Sequence, residues 1–215
     1  MSELQFFGTV SASISHEIKN VLAIILESSG LMEDLLLMAE KGNPVDPEKL
    51  KALAGRVKGQ ARRADAIVKN MNAFSHTVDY PFRSVDLGEM VGLTVALAAR
   101  MSSMRGGKVE FEPPGEAVSV ATSPFHLHMQ LWGCIDSALS HLDENCSLRV
   151  QCRKRDQGAA VLFTGLKGTD CGELGVPPPR HQPELLRLLG ARVFPSEDGR
   201  GFCLELPGEA PGYRP

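Results

Sequence analysis

The sequence predicts an α+β protein: a long antiparallel helical hairpin, paired with a second copy into a four-helix bundle, followed by an α/β sandwich domain. Three observations predict it. Apolar or small residues recur at Phe7, Ser11, Ile14, Ile18, Val21, Ile25, Ser28, Met32 and Leu35, alternating three and four apart as the seam of a bundle helix does. The same spacing returns at Leu50, Leu53, Val57, Gln60, Ala64, Ile67, Met71 and Phe74. Beyond Arg83 the period changes to short alternating runs punctuated by glycine and proline, the pattern of strands between shorter helices.

The first helix is expected from Leu4 to Glu40, about 55 Å at roughly 1.5 Å per residue, and Lys41-Gly42-Asn43-Pro44 ends it. Asp46 is placed to cap the second helix, and Pro47 suits its first position. Two long helices leave much of each apolar stripe wet, and a homodimer covers it. Thr77 to Arg83 reads as a connection containing Asp79-Tyr80-Pro81. A short strand at Val85–Leu87, a helix from Gly88 to Met104 and strands at Lys108–Glu112 and Val118–Ala121 follow. Pro124 opens a helix to Leu142; Leu148–Arg153 and Ala160–Thr164 form a hairpin about Asp156-Gln157-Gly158. A helix at Pro183–Leu189 and strands at Ala191–Phe194 and Gly201–Leu206 complete the sheet. The division is a hairpin over 1–78, a linker over 79–84, a second domain over 85–208 and a tail over 209–215.

Composition narrows the function. With 215 residues, 43% hydrophobic and 23% charged, the chain suits two compact parts. A formal charge of -3, with Arg62-Arg63 and Arg153-Lys154-Arg155 read as solvated faces, argues against nucleic acid as a partner. Five cysteines with no CxxC pair favour neither a disulfide framework nor a zinc site, so no metal is expected and a reducing cytoplasm is the expected home. Glu27, Glu33 and Asp34 interrupt the apolar run from Val21 to Ala39, and no signal peptide opens the chain, so no membrane association is expected.

The stretch that carries chemistry is Ser13-Ile14-Ser15-His16-Glu17-Ile18-Lys19-Asn20. His16 falls between seam positions and therefore points outward, with Asn20 at i+4 on its face. This string resembles the phospho-acceptor box of two-component sensor histidine kinases. The resemblance implies that His16 accepts a phosphoryl group on one ring nitrogen while Glu17 holds the other. It also implies that Asn20 orients a water for dephosphorylating a bound response regulator. Ser15 and Lys19 flank the histidine as candidate phosphoryl or partner contacts. Phe7, Val10 and Ser11, with Met71 and Phe74, are candidates for a receiver-docking surface, with bundle core as the preferred reading of the last two. One departure is Val21, where many relatives carry a proline that kinks the helix.

The second part resembles the ATP-binding domain of the same kinases over roughly residues 84 to 208. The order of elements matches better than the chemistry does. Where the family has asparagines that hold magnesium and phosphates, Gln130 to Leu139 places Gly133 and Ser137; Asp136 is one residue out of phase, about 100° around the helix. Where a strand should end in an aspartate that reads adenine, Thr164 precedes Gly165. Asp170 lies well past that strand, and Thr169 to Gln182, with Pro177-Pro178-Pro179, is stiff and short for a nucleotide lid. Gly133, Ser137, Thr164 and Gly165 thus mark a degenerate nucleotide site, with ATP not expected. Losing several charge-assisted contacts, each about 1.5 to 3 kcal/mol, weakens binding by orders of magnitude.

An intact acceptor hairpin beside a degenerate nucleotide domain resembles dimeric, kinase-like histidine phosphotransferases. What this implies is relay of phosphate between receiver aspartates of response regulators through His16, with Mg2+ supplied by the receiver, and an upstream histidine kinase as a further candidate partner. Two alternatives stay open: a divergent ATP-dependent histidine kinase, and a non-catalytic dimeric scaffold that binds a response regulator or a kinase. The other histidines, at 76, 126, 128, 141 and 181, lack metal or triad context.

Overall fold

The computed structural model describes residues 1–142, 147–166, 183–196 and 199–214. It is α+β, with a long helical N-terminal part and a mixed sheet carrying helices. Contacts divide the chain into two compact units, Ser11–Ala73 and a second made of Met1–Val10 together with Phe74–Pro215.

Helix α1 spans Glu3–Glu40 and α2 spans Pro47–Ser75. At the start of α1, Ser2 Oγ accepts from Gln5 N–H at 3.2 Å while Gln5 Oε1 accepts from Ser2 N–H at 2.9 Å, a reciprocal cap. Gly42 ends the helix with a φ of 82°, its N–H donating to Ala39 O at 2.9 Å. Asp46 caps α2 by accepting from Glu48 N–H at 3.0 Å.

Within the unit Ser11–Ala73, Ile14, Val21 and Ser28 are buried, seven residues apart, and every other seam position of α1 in it is at least half-buried. Two ion pairs fix the course of the helices. Glu17 pairs with Arg63 and, further along α1, Glu27 pairs with the earlier Arg56, so the helices run antiparallel. Val21 is buried in an uninterrupted helix. Leu22, Leu26, Leu31, Leu36, Leu37 and Met38 on α1, with Val68 and Met71 on α2, remain exposed.

The other unit centres on an aromatic cluster. Phe6 sits edge-on to Phe74 and Phe125, both with centroids at 5.6 Å, and to Trp132 at 5.9 Å. Such pairs add about 0.5–1.5 kcal/mol beyond their buried area. Phe74 and Val10 are buried here, so they line no docking surface; Met71 is exposed.

Strands β2 (Lys108–Glu112), β4 (Ser147–Arg155), β5 (Gly158–Thr164), β6 (Arg192–Pro195) and β7 (Gly201–Pro207) form a sheet in the order β2-β4-β5-β7-β6. Only β2 with β4 is parallel. Strands β1 (Arg83–Asp86) and β3 (Ser119–Thr122) pair antiparallel as a separate ribbon. Leu148 and Val150, Val161 and Phe163, and Leu204 and Leu206 are buried at alternate positions of their strands, while Arg149 and Arg153 stay exposed. Helices α3 (Leu87–Leu97), α4 (Ala99–Met104), α5 (Pro124–Leu139) and α6 (Pro183–Leu189) complete the unit.

The expected single helix from Gly88 to Met104 is two, because Ala98 has a ψ of -3° rather than the helical value near -42°. The helix expected to reach Leu142 stops at Leu139, where Ser140 folds into a turn and Leu142 bridges to Leu166. The β4–β5 ladder continues to Arg155 opposite Gly158, leaving Asp156 and Gln157 as a two-residue turn.

Candidate functional site

His16 lies on α1 between the seam residue Ile14 and the half-buried pair Glu17 and Ile18. It is exposed, as are Ser15, Lys19 and Asn20, so the imidazole and the amide share an accessible face of the helix. Ser13 is half-buried, and its Oγ has no hydrogen-bond partner among the described residues.

Glu17 turns towards α2. Its Oε2 stands 3.6 Å from Arg63 Nη2, and its side chain keeps 16% of its accessible surface against 56% for Arg63. Such a half-exposed pair contributes about 0–1 kcal/mol net to stability, yet it sets a guanidinium next to the carboxylate that follows the histidine. Arg63 is exposed, as its sequence context implied, but it also faces a carboxylate on the other helix. Its partner sits on the other helix, where no local spacing rule reaches; the antiparallel register of two matching seams was the only signal.

The second candidate set lies on α5 and at the end of β5. Gly133 and Ser137 are half-buried on α5, and neither supplies a carboxylate or an amide side chain. Asp136 Oδ1 accepts from Arg105 Nη2 at 2.5 Å, and Arg105 Nη1 also donates to Ser140 Oγ at 2.9 Å. That carboxylate is committed to holding the α4 end against α5. Thr164 pairs with Arg149 and Gly201 in the ladder. Gly165 follows with a φ of 99°, and a Cβ there would stand 2.5 Å from Ser147 O, so glycine is needed for the backbone itself. These side chains do not fit a magnesium nucleotide. The proposed lid, Thr169 to Gln182, and Asp170 lie outside the described residues.

Among the described residues no three His, Cys, Asp or Glu side chains gather to hold a metal ion. His126 and His128 diverge on α5: His126 contacts Ser123 Oγ at 2.8 Å and Glu3 Oε1 at 3.0 Å, whereas His128 is fully buried. Thr94 Oγ1 donates to Met90 O at 2.8 Å and therefore accepts from His128 Nδ1–H at 2.7 Å. His128 Nε2 is left without a partner among the described residues, and burial lowers this imidazole's pKa to about 3. Burial likewise pushes the free thiols Cys134 and Cys152 up to about 12, which makes them poor nucleophiles at neutral pH. Cys146 and Cys171 lie outside the described residues. No helix of the described residues is long and apolar enough to cross a membrane.

No protein-family model matches the chain, and no curated protein matches it. Solved structures do. A bacterial phosphotransferase aligns over 95% of this chain and 97% of its own, at 16% identity and a TM-score of 0.50. The ATP-binding domain of PrrB from Mycobacterium tuberculosis aligns over 60% of this chain and 98% of its own, at 18% identity and a TM-score of 0.47. The histidine kinase ThkA, solved in complex with the response regulator protein TrrA, aligns over 95% of this chain and 63% of its own, at 19% identity and a TM-score of 0.46. At these identities the shared property is the fold.

Proposed function

We propose that this chain is a two-component signalling protein of the histidine phosphotransferase type, relaying phosphate between response-regulator receiver domains through His16 in the cytoplasm. The observation that carries the reading is a contrast between its two parts. His16 and Asn20 are exposed together on α1. Asp136, the carboxylate nearest the degenerate nucleotide positions on α5, is bound to Arg105 instead. The fold shared with a bacterial phosphotransferase along nearly the whole chain is consistent with this reading.

In the relay a ring nitrogen of His16 attacks the phosphorus of a receiver's phospho-aspartate. The N–P bond forms as the P–O bond to the carboxylate breaks, and the electron pair stays on the aspartate. A second receiver reverses the step. Glu17 accepts the remaining ring N–H, Ser15 and Lys19 contact the phosphoryl group or the partner, and Asn20 orients water when the phosphoryl group is hydrolysed. Positioning and charge neutralisation carry such transfers. The receiver brings its own Mg2+. The exposed leucines that share one side of α1, Leu22, Leu26, Leu36 and Leu37, are the surface a second copy covers, giving a four-helix bundle.

A divergent ATP-dependent histidine kinase is the second reading, because the sheet and α5 keep the order of elements of kinase ATP-binding domains. One experiment separates the two. Purified protein and a His16→Gln variant are incubated with labelled phospho-receivers and, separately, with magnesium and γ-labelled ATP. Acid-labile label drawn from receivers and absent in His16→Gln is expected. Label drawn from ATP and dependent on His16 makes the protein a kinase. No label from either source, with receiver binding intact in both proteins, overturns the relay in favour of a scaffold.

A further inference from the structure

Resting on the relay reading, we infer that Arg63 is a positioning residue for phosphoryl acceptance at His16, acting through the carboxylate of Glu17. The geometry is specific. Arg63 Nη2 lies 3.6 Å from Glu17 Oε2, an ion-pair distance, and the Glu17 side chain keeps only 16% of its surface, so the carboxylate faces α2. Holding Oε2 leaves Oε1 with lone pairs for the imidazole N–H.

Charge gives the second half of the argument. An incoming phosphoryl group brings nearly two negative charges to the residue beside Glu17, and like charges that close repel. A guanidinium beside Glu17 offsets that repulsion. Arginine suits the position because it stays charged at every working pH.

The hairpin contains its own control. Arg56 and Glu27 form another cross-helix bridge, Nη2 to Oε2 at 3.1 Å, further along the same two helices and away from His16 in sequence. A merely structural arginine at 63 should behave as Arg56 does.

The test uses the full chain and phosphoramidate, a small anionic donor that needs neither ATP nor a receiver. A His16 nitrogen attacks phosphorus, the N–P bond forms as the donor's P–N bond breaks, and ammonia leaves with the hydrogens it already carries. Arg63→Met is expected to slow His16-dependent labelling about three- to tenfold, with added salt narrowing the gap by screening. Arg63→Lys should recover most of the rate. In a Glu17→Gln background, where no charge is left to neutralise, Arg63→Met should have no further effect. Arg56→Met, which removes the shorter of the two bridges, should leave labelling unchanged. Equal labelling of Arg63→Met and wild type, or an undiminished effect in the Glu17→Gln background, overturns the inference. Absence of label on wild type overturns the relay reading itself.

Discussion

His128 shows how far one side chain's environment departs from its sequence context. Among the described residues its side chain hydrogen-bonds to Thr94 Oγ1 alone, and its Nε2 faces no partner. The folded pKa near 3 lies below the unfolded value near 6.5, so between these limits the unfolded chain binds the extra proton. Stability from this group is full above about pH 6.5 and is lost as pH falls towards 3. The loss is at most about 1.4 kcal/mol per pH unit. Urea unfolding at pH 7 and pH 5 should therefore show wild type losing up to ~2 kcal/mol more than His128→Asn; parallel losses in the two proteins would show that the buried imidazole does not drive the acid limb. Local periodicity could not reveal this pairing, since Thr94 lies on α3 and His128 on α5. The exposure of His16, by contrast, was legible, because a position between seam residues of one helix depends only on local periodicity. Arg63 was not, because its contact depends on helix register.

Helices α1 and α2 were readable from capping and period: Asp46 and Gly42 stand at the ends that their chemistry demands. The break at Ala98 was not, since Leu87 to Met104 has an unbroken helical composition and the interruption is a backbone change of one residue. The pairing of β1 with β3 was also hidden, because it joins strands separated in sequence by α3, α4 and β2, in the Val85↔Val120 to Asp86↔Ser119 register. The ends of the long helices carry more stability than their position suggests. Phe74, 1% exposed, packs against Phe6, Phe7 and Phe125 with centroids at 5.6, 5.7 and 6.0 Å. Phe74→Ala should cost about 3–5 kcal/mol, read as a lower urea midpoint at unchanged slope. A cost under about 1 kcal/mol would mean that the cluster repacks and contributes little.

One side of α1 presents leucines that the described residues leave uncovered. Leu26 keeps 72% of its surface and Leu36 54%. Burial of a leucine contributes about 1.5–3 kcal/mol, so a handful of them across a twofold axis suffices for a stable pair. Leu22→Glu with Leu26→Glu should convert a dimer into a monomer in sedimentation, with helix content retained; a wild-type chain that sediments as a monomer at micromolar concentration would remove the bundle from the proposal. The larger unit is assembled from two separated stretches, Met1–Val10 and Phe74–Pro215. During synthesis this sets an order of events. Phe6 is made well before its ring partners Phe125 and Trp132, which emerge from the ribosome on the order of ten seconds later. The stretch that carries Phe6 must therefore wait for its ring partners until translation reaches α5.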